Sequence, residues 1–131
     1  MKRVTQFSVS LPNRPGMLAA LCNGLADANV NILALSVLDS SDMGIVRLVV
    51  DKPDDAARVL TEEALPFSES DVLLVKVQNK VGMLARLAGK LADQKINISF
   101  VYGSSSAGKG QAYVVVCAAK LDAAEKALSG R

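Results

Sequence analysis

The stretch NRPGMLAAL runs from Asn13 to Leu21, and NKVGMLARL runs from Asn79 to Leu87. The same short motif occurs twice, 66 residues apart. Widening the window sets NRPGMLAALCNGLADANVNI, residues 13–32, over NKVGMLARLAGKLADQKINI, residues 79–98, with eleven of twenty positions identical. Arg14/Lys80 and Val30/Ile96 are conservative pairs. Chance does not produce that density in a mixed composition, so the chain reads as a tandem duplication. The match continues more weakly: IVRLVV at 45–50 stands over QAYVVV at 111–116, and DDAARVL at 54–60 resembles LDAAEKAL at 121–128 after a one-residue slip. Two copies of so long a period are two small domains and not a solenoid.

Each copy has a readable pattern. VTQFSVSLP at 4–12 alternates apolar and polar residues, which predicts a strand with one wet face. Pro15 suits the first turn of a helix, where its missing N–H costs nothing. Met17, Leu18, Leu21 and Leu25 then follow at helical spacing as one apolar stripe. Asn29 is suited to a left-handed stop. VNILALSVL at 30–38 predicts a buried strand, SSDMG at 40–44 is turn chemistry, and IVRLVVD at 45–51 predicts a third strand. Asp51 and Pro53 are expected to open a second helix, with Ala56, Ala57, Val59 and Leu60 inward. PFSES, from about residue 66, begins a fourth strand that runs almost unbroken into DVLLVKVQ at 71–78, the first strand of the second copy.

The order is therefore β-α-β-β-α-β followed by β-α-β-β-α. The fold class is α+β: two tandem ferredoxin-like, split βαβ units with antiparallel sheets, over residues 1–70 and 71–131. The second copy is expected to lack most or all of its last strand. In such a sheet that strand lies beside the first, so DVLLVKVQ would keep an unpaired edge unless copy one or a second chain covers it. Units of about 65 residues are marginal alone, so the two copies are expected to be inseparable.

Composition narrows the function. Half of the 131 residues are hydrophobic and 21% are charged, a globular balance. No apolar run approaches the roughly 18 residues of a membrane helix. The start, MKRVTQFSVSLP, lacks the apolar core of a signal peptide, so a cytoplasmic location is expected. The net charge of +2, with both signs interspersed and only Phe7, Phe67, Phe100, Tyr102 and Tyr113 as aromatics, argues against a nucleic-acid surface. Cys22 and Cys117 sit in apolar segments and read as small buried hydrophobes. The chain has no histidine, which removes the commonest general base and the commonest zinc ligand. Neither a cofactor nor a metal is expected.

The repeated turn carries the chemistry. A helix N-terminus has unpaired N–H groups and a partial positive charge. Gly16 and Gly82 place no side chain between that backbone and a guest, and a carboxylate is a natural guest. Asn13 and Asn79 each add an amide that both donates and accepts, as a free amino acid requires. The alternative is purely structural: Asn and Gly make a tight turn, and Pro15 starts the helix. Arg14 and Lys80 are suited to steering an anion, or are simply solvated. SSSAGKG at 104–110 lacks the Ser/Thr and following helix of a phosphate loop and reads as a flexible hairpin. Asp39 and Asp42 with the neighbouring serines fall short of a calcium loop's ligand set.

N-x-P-G-M-L after a strand, then a helix, then N-I opening the next strand, resembles the ACT domain. ACT domains are small ligand-binding modules attached to many enzymes of amino-acid metabolism. Nearly the whole chain resembles the stand-alone bacterial tandem ACT proteins. The resemblance implies an amino acid held between two ACT domains, by the turn of one and the second strand of the other. Carried over, Asn13, Arg14, Pro15, Gly16, Met17 and Leu18 would face Asn97 and Ile98. Asn79, Lys80, Val81, Gly82, Met83 and Leu84 would face Asn31 and Ile32. Val81 replaces Pro15 in the second copy, which departs from the family pattern.

The leading expectation is a non-enzymatic sensor that binds an amino acid, forms a homodimer and acts on a metabolic enzyme or regulator. The alternatives are an assembly module without ligand, and a small ferredoxin-like hydrolase. The hydrolase lacks a visible nucleophile–base pair.

Overall fold

The computed structural model describes residues 1–38, 42–104 and 108–129. It holds six strands and four helices: β1 (Lys2–Pro12), α1 (Met17–Asp27), β2 (Ile32–Leu38), β3 (Met43–Val50), α2 (Pro53–Glu62), β4 (Phe67–Gln78), α3 (Met83–Asp93), β5 (Ile98–Gly103), β6 (Gln111–Ala118) and α4 (Leu121–Ser129). This is the expected tandem split βαβ order. The chain forms two compact units, Thr5–Ser70 and Met1–Val4 with Asp71–Arg131.

In the Thr5–Ser70 unit the strand order is β2-β3-β1, with the start of β4 beyond β1. β1 runs antiparallel to β3, pairing Phe7 with Leu48 and Val9 with Val46. The alternation in β1 turns Phe7, Val9 and Leu11 to the same side as Val46, Leu48 and Val50 of β3. These residues form one buried core with Leu21 and Leu25 of α1 and Ala56, Val59 and Leu60 of α2. Of the expected helical stripe, Leu21 and Leu25 are buried, Met17 is half-buried and Leu18 is exposed. β2 is not the buried strand that its apolar run suggests. It lies at the edge of the order, only Ala34 is buried, and Val37 and Leu38 are exposed.

Asn29 takes the left-handed conformation at φ 60° and ends α1 as expected. Its N–H donates to Ala26 O, and the Val30 N–H donates to Leu25 O at 2.9 Å. This is the paired-bond helix stop known as the Schellman motif. The same stop recurs at Lys95 (φ 57°), where Ile96 N–H donates to Leu91 O at 2.9 Å.

The other unit has the order β4-β6-β5, with the first residues of β1 on the far side of β4. Its core joins Leu73, Leu87, Leu91, Ile96, Val116, Ala118 and Ala124. Among the described residues no strand follows α4. Residues Met1–Val4, which the 1–70 boundary gives to the first copy, pack with this unit instead. The physical reason is the edge of β4, which needs a hydrogen-bonding neighbour. The Arg3 guanidinium fastens the segment, pairing with Asp122 and with Glu125 Oε1 at 3.0 Å, both on α4. The Asp122 hydrogen bond holds the Arg3 pKa above its ordinary value.

The registers correct the alignment of the second half of each copy. Phe7 pairs with Leu48, and Leu73 pairs with Val116. IVRLVV at 45–50 therefore matches YVVVCA at 113–118, two residues later than QAYVVV. Likewise PDDAARVL of α2 stands over LDAAEKAL of α4, a two-residue slip beyond the original 66 and not one. The β5–β6 connection absorbs the extra length. Cys22 and Cys117 are half-buried, not fully buried, and no disulfide joins them.

Candidate functional site

The first turn joins β1 to α1. Asn13 N–H donates to Asp42 O at 2.8 Å, which ties the turn to the start of β3. Arg14 N–H donates to Pro12 O at 3.0 Å, and Ala20 N–H donates to Gly16 O at 3.0 Å. Gly16 is the N-cap residue at φ 89°, so Pro15 precedes the helix and does not begin it. The positive φ explains the glycine, because a Cβ there would meet no atom within 4 Å. No side chain caps α1, and its first turn contains no acidic residue. By contrast, α2 carries Asp54 and Asp55 in its first turn. The start of α1 thus keeps its positive end open and uncompensated.

The second turn repeats this geometry. Asn79 N–H donates to Gly110 O at 2.8 Å, Lys80 N–H to Gln78 O at 3.0 Å, and Arg86 N–H to Gly82 O at 3.0 Å. Gly82 has φ 85°, and α3 likewise has neither a side-chain cap nor an acidic first turn. Val81, at Pro15's place, is 103% exposed, and Leu84 is exposed as well.

Beside the first turn lies a small cleft of about 90 Å³, where Asn13, Arg14, Met17 and Leu18 meet Val37 and Gly44. Whole-ligand pockets span about 300 Å³ or more, so this cleft alone is too small to enclose a ligand of that size. Val37, Gly44 and Val46 escape the sequence reading, because only the β1–β3 and β2–β3 registers bring them to the turn, whereas Leu11 adjoins it along the chain.

Asn31 and Ile32 lie at the other end of α1, about 16 Å away along an 11-residue helix. Asn31 N–H donates to Asp51 Oδ1 at 2.9 Å, and Asp51 N–H donates to Asn31 O at 3.0 Å. Asp51 therefore clamps the opening of β2 and does not cap α2, whose N-cap is Lys52. Lys52 Nζ in turn donates to Asn29 O at 2.9 Å. Asn97 and Ile98 stand at the opening of β5, with Ile98 set against Ala118; Ala119 holds the place that matches Asp51, so the carboxylate clamp has no counterpart there. Within a unit, then, the turn and the Asn-Ile strand opening sit at opposite ends and do not meet.

The loop readings fall partly outside the described residues. Asp39, Ser40 and Ser41 lie there, as do Ser105, Ser106 and Ala107. Asp42 contributes its carbonyl to Asn13, and Ser104 Oγ accepts from Tyr113 N–H at 3.2 Å. Among the described residues no cluster of His, Cys, Asp or Glu is placed to hold a metal. No described helix is long and apolar enough to cross a membrane.

Paired split βαβ units, each with an open glycine turn between its first strand and first helix, make this a tandem ferredoxin-like protein. The chain belongs to the ACT domain pair family, whose model matches residues 2–128. The domain pair is typical of amino-acid-binding regulatory domains, which regulate and do not catalyse. Among solved structures, protein BT0572 from Bacteroides thetaiotaomicron is similar at a TM-score of 0.88 and 28% identity, covering 97% of this chain and 87% of that one. The ligand-free regulatory subunit of aspartate kinase from Thermus thermophilus shares the fold at a TM-score of 0.67 and 15% identity, covering 98% and 92%. Its Thermus flavus counterpart matches at 0.62 and 18%, with the same coverage. No curated protein matches significantly.

Proposed function

We propose that this chain is a non-enzymatic regulatory protein that binds a free amino acid at its ACT turns. The observation that carries the reading is the pair of uncapped helix starts, α1 and α3, each led by a left-handed glycine and an asparagine. A ligand carboxylate set against those N–H groups gains charge-assisted hydrogen bonds and the favourable end of the helix dipole. The asparagine amide is suited to the ammonium. The cleft of about 90 Å³ at the first turn supports reading it as a half-site. The remainder comes from the Asn-Ile strand opening of another ACT unit: Asn97 and Ile98 for the first turn, Asn31 and Ile32 for the second. Met17 and Leu18 favour an apolar ligand side chain. In this reading the protein works in the cytoplasm as a homodimer. Binding biases its packing through unequal affinity for two states, and a metabolic enzyme or regulator reads the change.

The test is a thermal-shift screen of the purified chain against the twenty amino acids at millimolar concentration. Ligand at a hundred times its dissociation constant adds about 2.7 kcal/mol to stability, a rise of several degrees for a chain of this size. One or two clear hits are expected. The small cleft volume favours one second reading, an assembly module without ligand, and a screen with no hit would select it.

A further inference from the structure

The two copies differ at one place beside α3. In the Thr5–Ser70 unit, Leu65 and Phe67 pack against the core, with the Phe67 ring 5.9 Å from that of Phe7. Among the described residues the other unit has no counterpart of that segment. A cavity of about 230 Å³ lies against its core, with half-exposed Met1 on its wall. Val75, Val77, Leu87 and Leu128 give it an apolar lining.

Its rim is cationic. Arg86 and Lys90 stand one turn apart on the same face of α3. Neither forms an ion pair among the described residues. Like charges so placed repel. At the matching positions, 66 residues earlier, the first copy has Ala20 and Gly24. The copy without the apolar filler is thus the copy with two unpaired cations at the opening. Lys76 also lines the space, but its ammonium lies 5.8 Å from the Tyr113 ring centre and is engaged there.

We propose that this cavity is a binding site for a small amphipathic anion, an aliphatic carboxylate, which adjoins the second turn through Met83 but is not formed by the turn's backbone. Arg86 and Lys90 hold the carboxylate, and the tail lies on Val75, Val77 and Leu87. A volume of about 230 Å³ suits a tail and headgroup of roughly eight heavy atoms, at about 30 Å³ for each water-sized group. A zwitterionic amino acid fits poorly, because its ammonium would face two cations.

The experiment titrates hexanoate, hexanamide and inorganic phosphate into the intact chain, followed by two-dimensional NMR at low salt. Hexanoate is expected to shift Val75, Val77, Leu87 and Leu128, to saturate, and to bind at least tenfold more tightly than either control. The Arg86→Ala/Lys90→Ala double variant, which restores near-copy-one chemistry on a helix that accepts alanine, should weaken hexanoate tenfold or more. Equal binding of hexanamide would reduce the site to an apolar hole, and equal binding of phosphate would reduce it to a charged surface. Either result overturns the proposal, as do an absence of saturation or an unchanged double variant. The wild-type series needs no variant to fold. Shifts confined to residues 13–16 and 79–82, with Val75, Leu87 and Leu128 unmoved, would report the turns and count against this site, so it stands or falls apart from the amino-acid screen.

Discussion

Gly16 and Gly82 are held by backbone conformation, not by crowding. Each sits near φ +85° to +90°, and a Cβ at either would reach open space. Replacing either by alanine should therefore cost only the left-handed penalty, about 1–2 kcal/mol. The two losses should be alike, and Gly16→Asn should recover part of the first, because asparagine tolerates that conformation. Urea titration of the three variants reads this directly. A Gly16→Ala variant as stable as the parent would mean the turn relaxes out of the described geometry. The motif letters make these turns legible in the sequence. Asp51 shows where legibility stops. Its position before Pro53 reads as a helix opener, yet its carboxylate turns back to Asn31 N–H. Local spacing cannot choose between a neighbouring helix and a strand twenty residues upstream. Asp51→Ala should cost about 0.5–1.5 kcal/mol for the lost bond, and Asp51→Asn should retain most of it. Equal losses in the two variants, measured by denaturation, would remove the clamp from the account.

At the scale of the elements, the same helix stop is written three times with different letters, at Asn29, at Ala64 and at Lys95. Asn29 closes α1 and Lys95 closes α3, both left-handed. Asparagine tolerates that conformation, whereas lysine takes it at a cost. Lys95→Gly should therefore stabilise the chain by about 1 kcal/mol, while Asn29→Gly should change little. Helix interiors give a complementary case. A Cβ at Gly24 would lie 2.6 Å from the Glu63 carboxylate, whereas a Cβ at Gly89 would meet nothing within 4 Å. Gly89→Ala should gain the full helix preference, about 0.5–1 kcal/mol. Gly24→Ala should gain less, because the exposed Glu63 end must swing away, but it should not lose. A destabilised Gly24→Ala chain in thermal melts would show that Glu63 is anchored more firmly than its exposure implies. Element types and order were legible because hydrophobic period, turn residues and the repeat agree. The register of β6 was not. Its valine run looks alike when slid by two positions, and only pairing with β4 and β5 fixes it.

The whole molecule departs most from the sequence reading in how β1 is shared, whereas the division of β4 falls where the sequence reading puts it. β1 gives Met1–Val4 to one unit and Thr5 onward to the other, and β4 changes unit between Ser70 and Asp71. A duplication read as two consecutive segments misses the split of β1, because strand length alone does not say which sheet a residue joins. The consequence is that the second unit depends on residues at the far end of the chain. At about 60 residues a domain is already marginal, and an uncovered edge beside a core strand adds unpaired backbone groups. Deleting Met1–Val4 should therefore speed amide hydrogen exchange across Asp71–Gln78 and leave the β1–β3 ladder of the other unit nearly as protected as before. Arg3→Ala should reproduce a fraction of the effect. That fraction should shrink as salt is added to the parent, because the pairs with Asp122 and Glu125 are open to solvent and screened. Unchanged protection of Asp71–Gln78 in the truncated chain would show that β4 keeps its order without the borrowed segment. Uniform loss in both units would show that the two long strands bind them into one cooperative system, in which no unit melts alone.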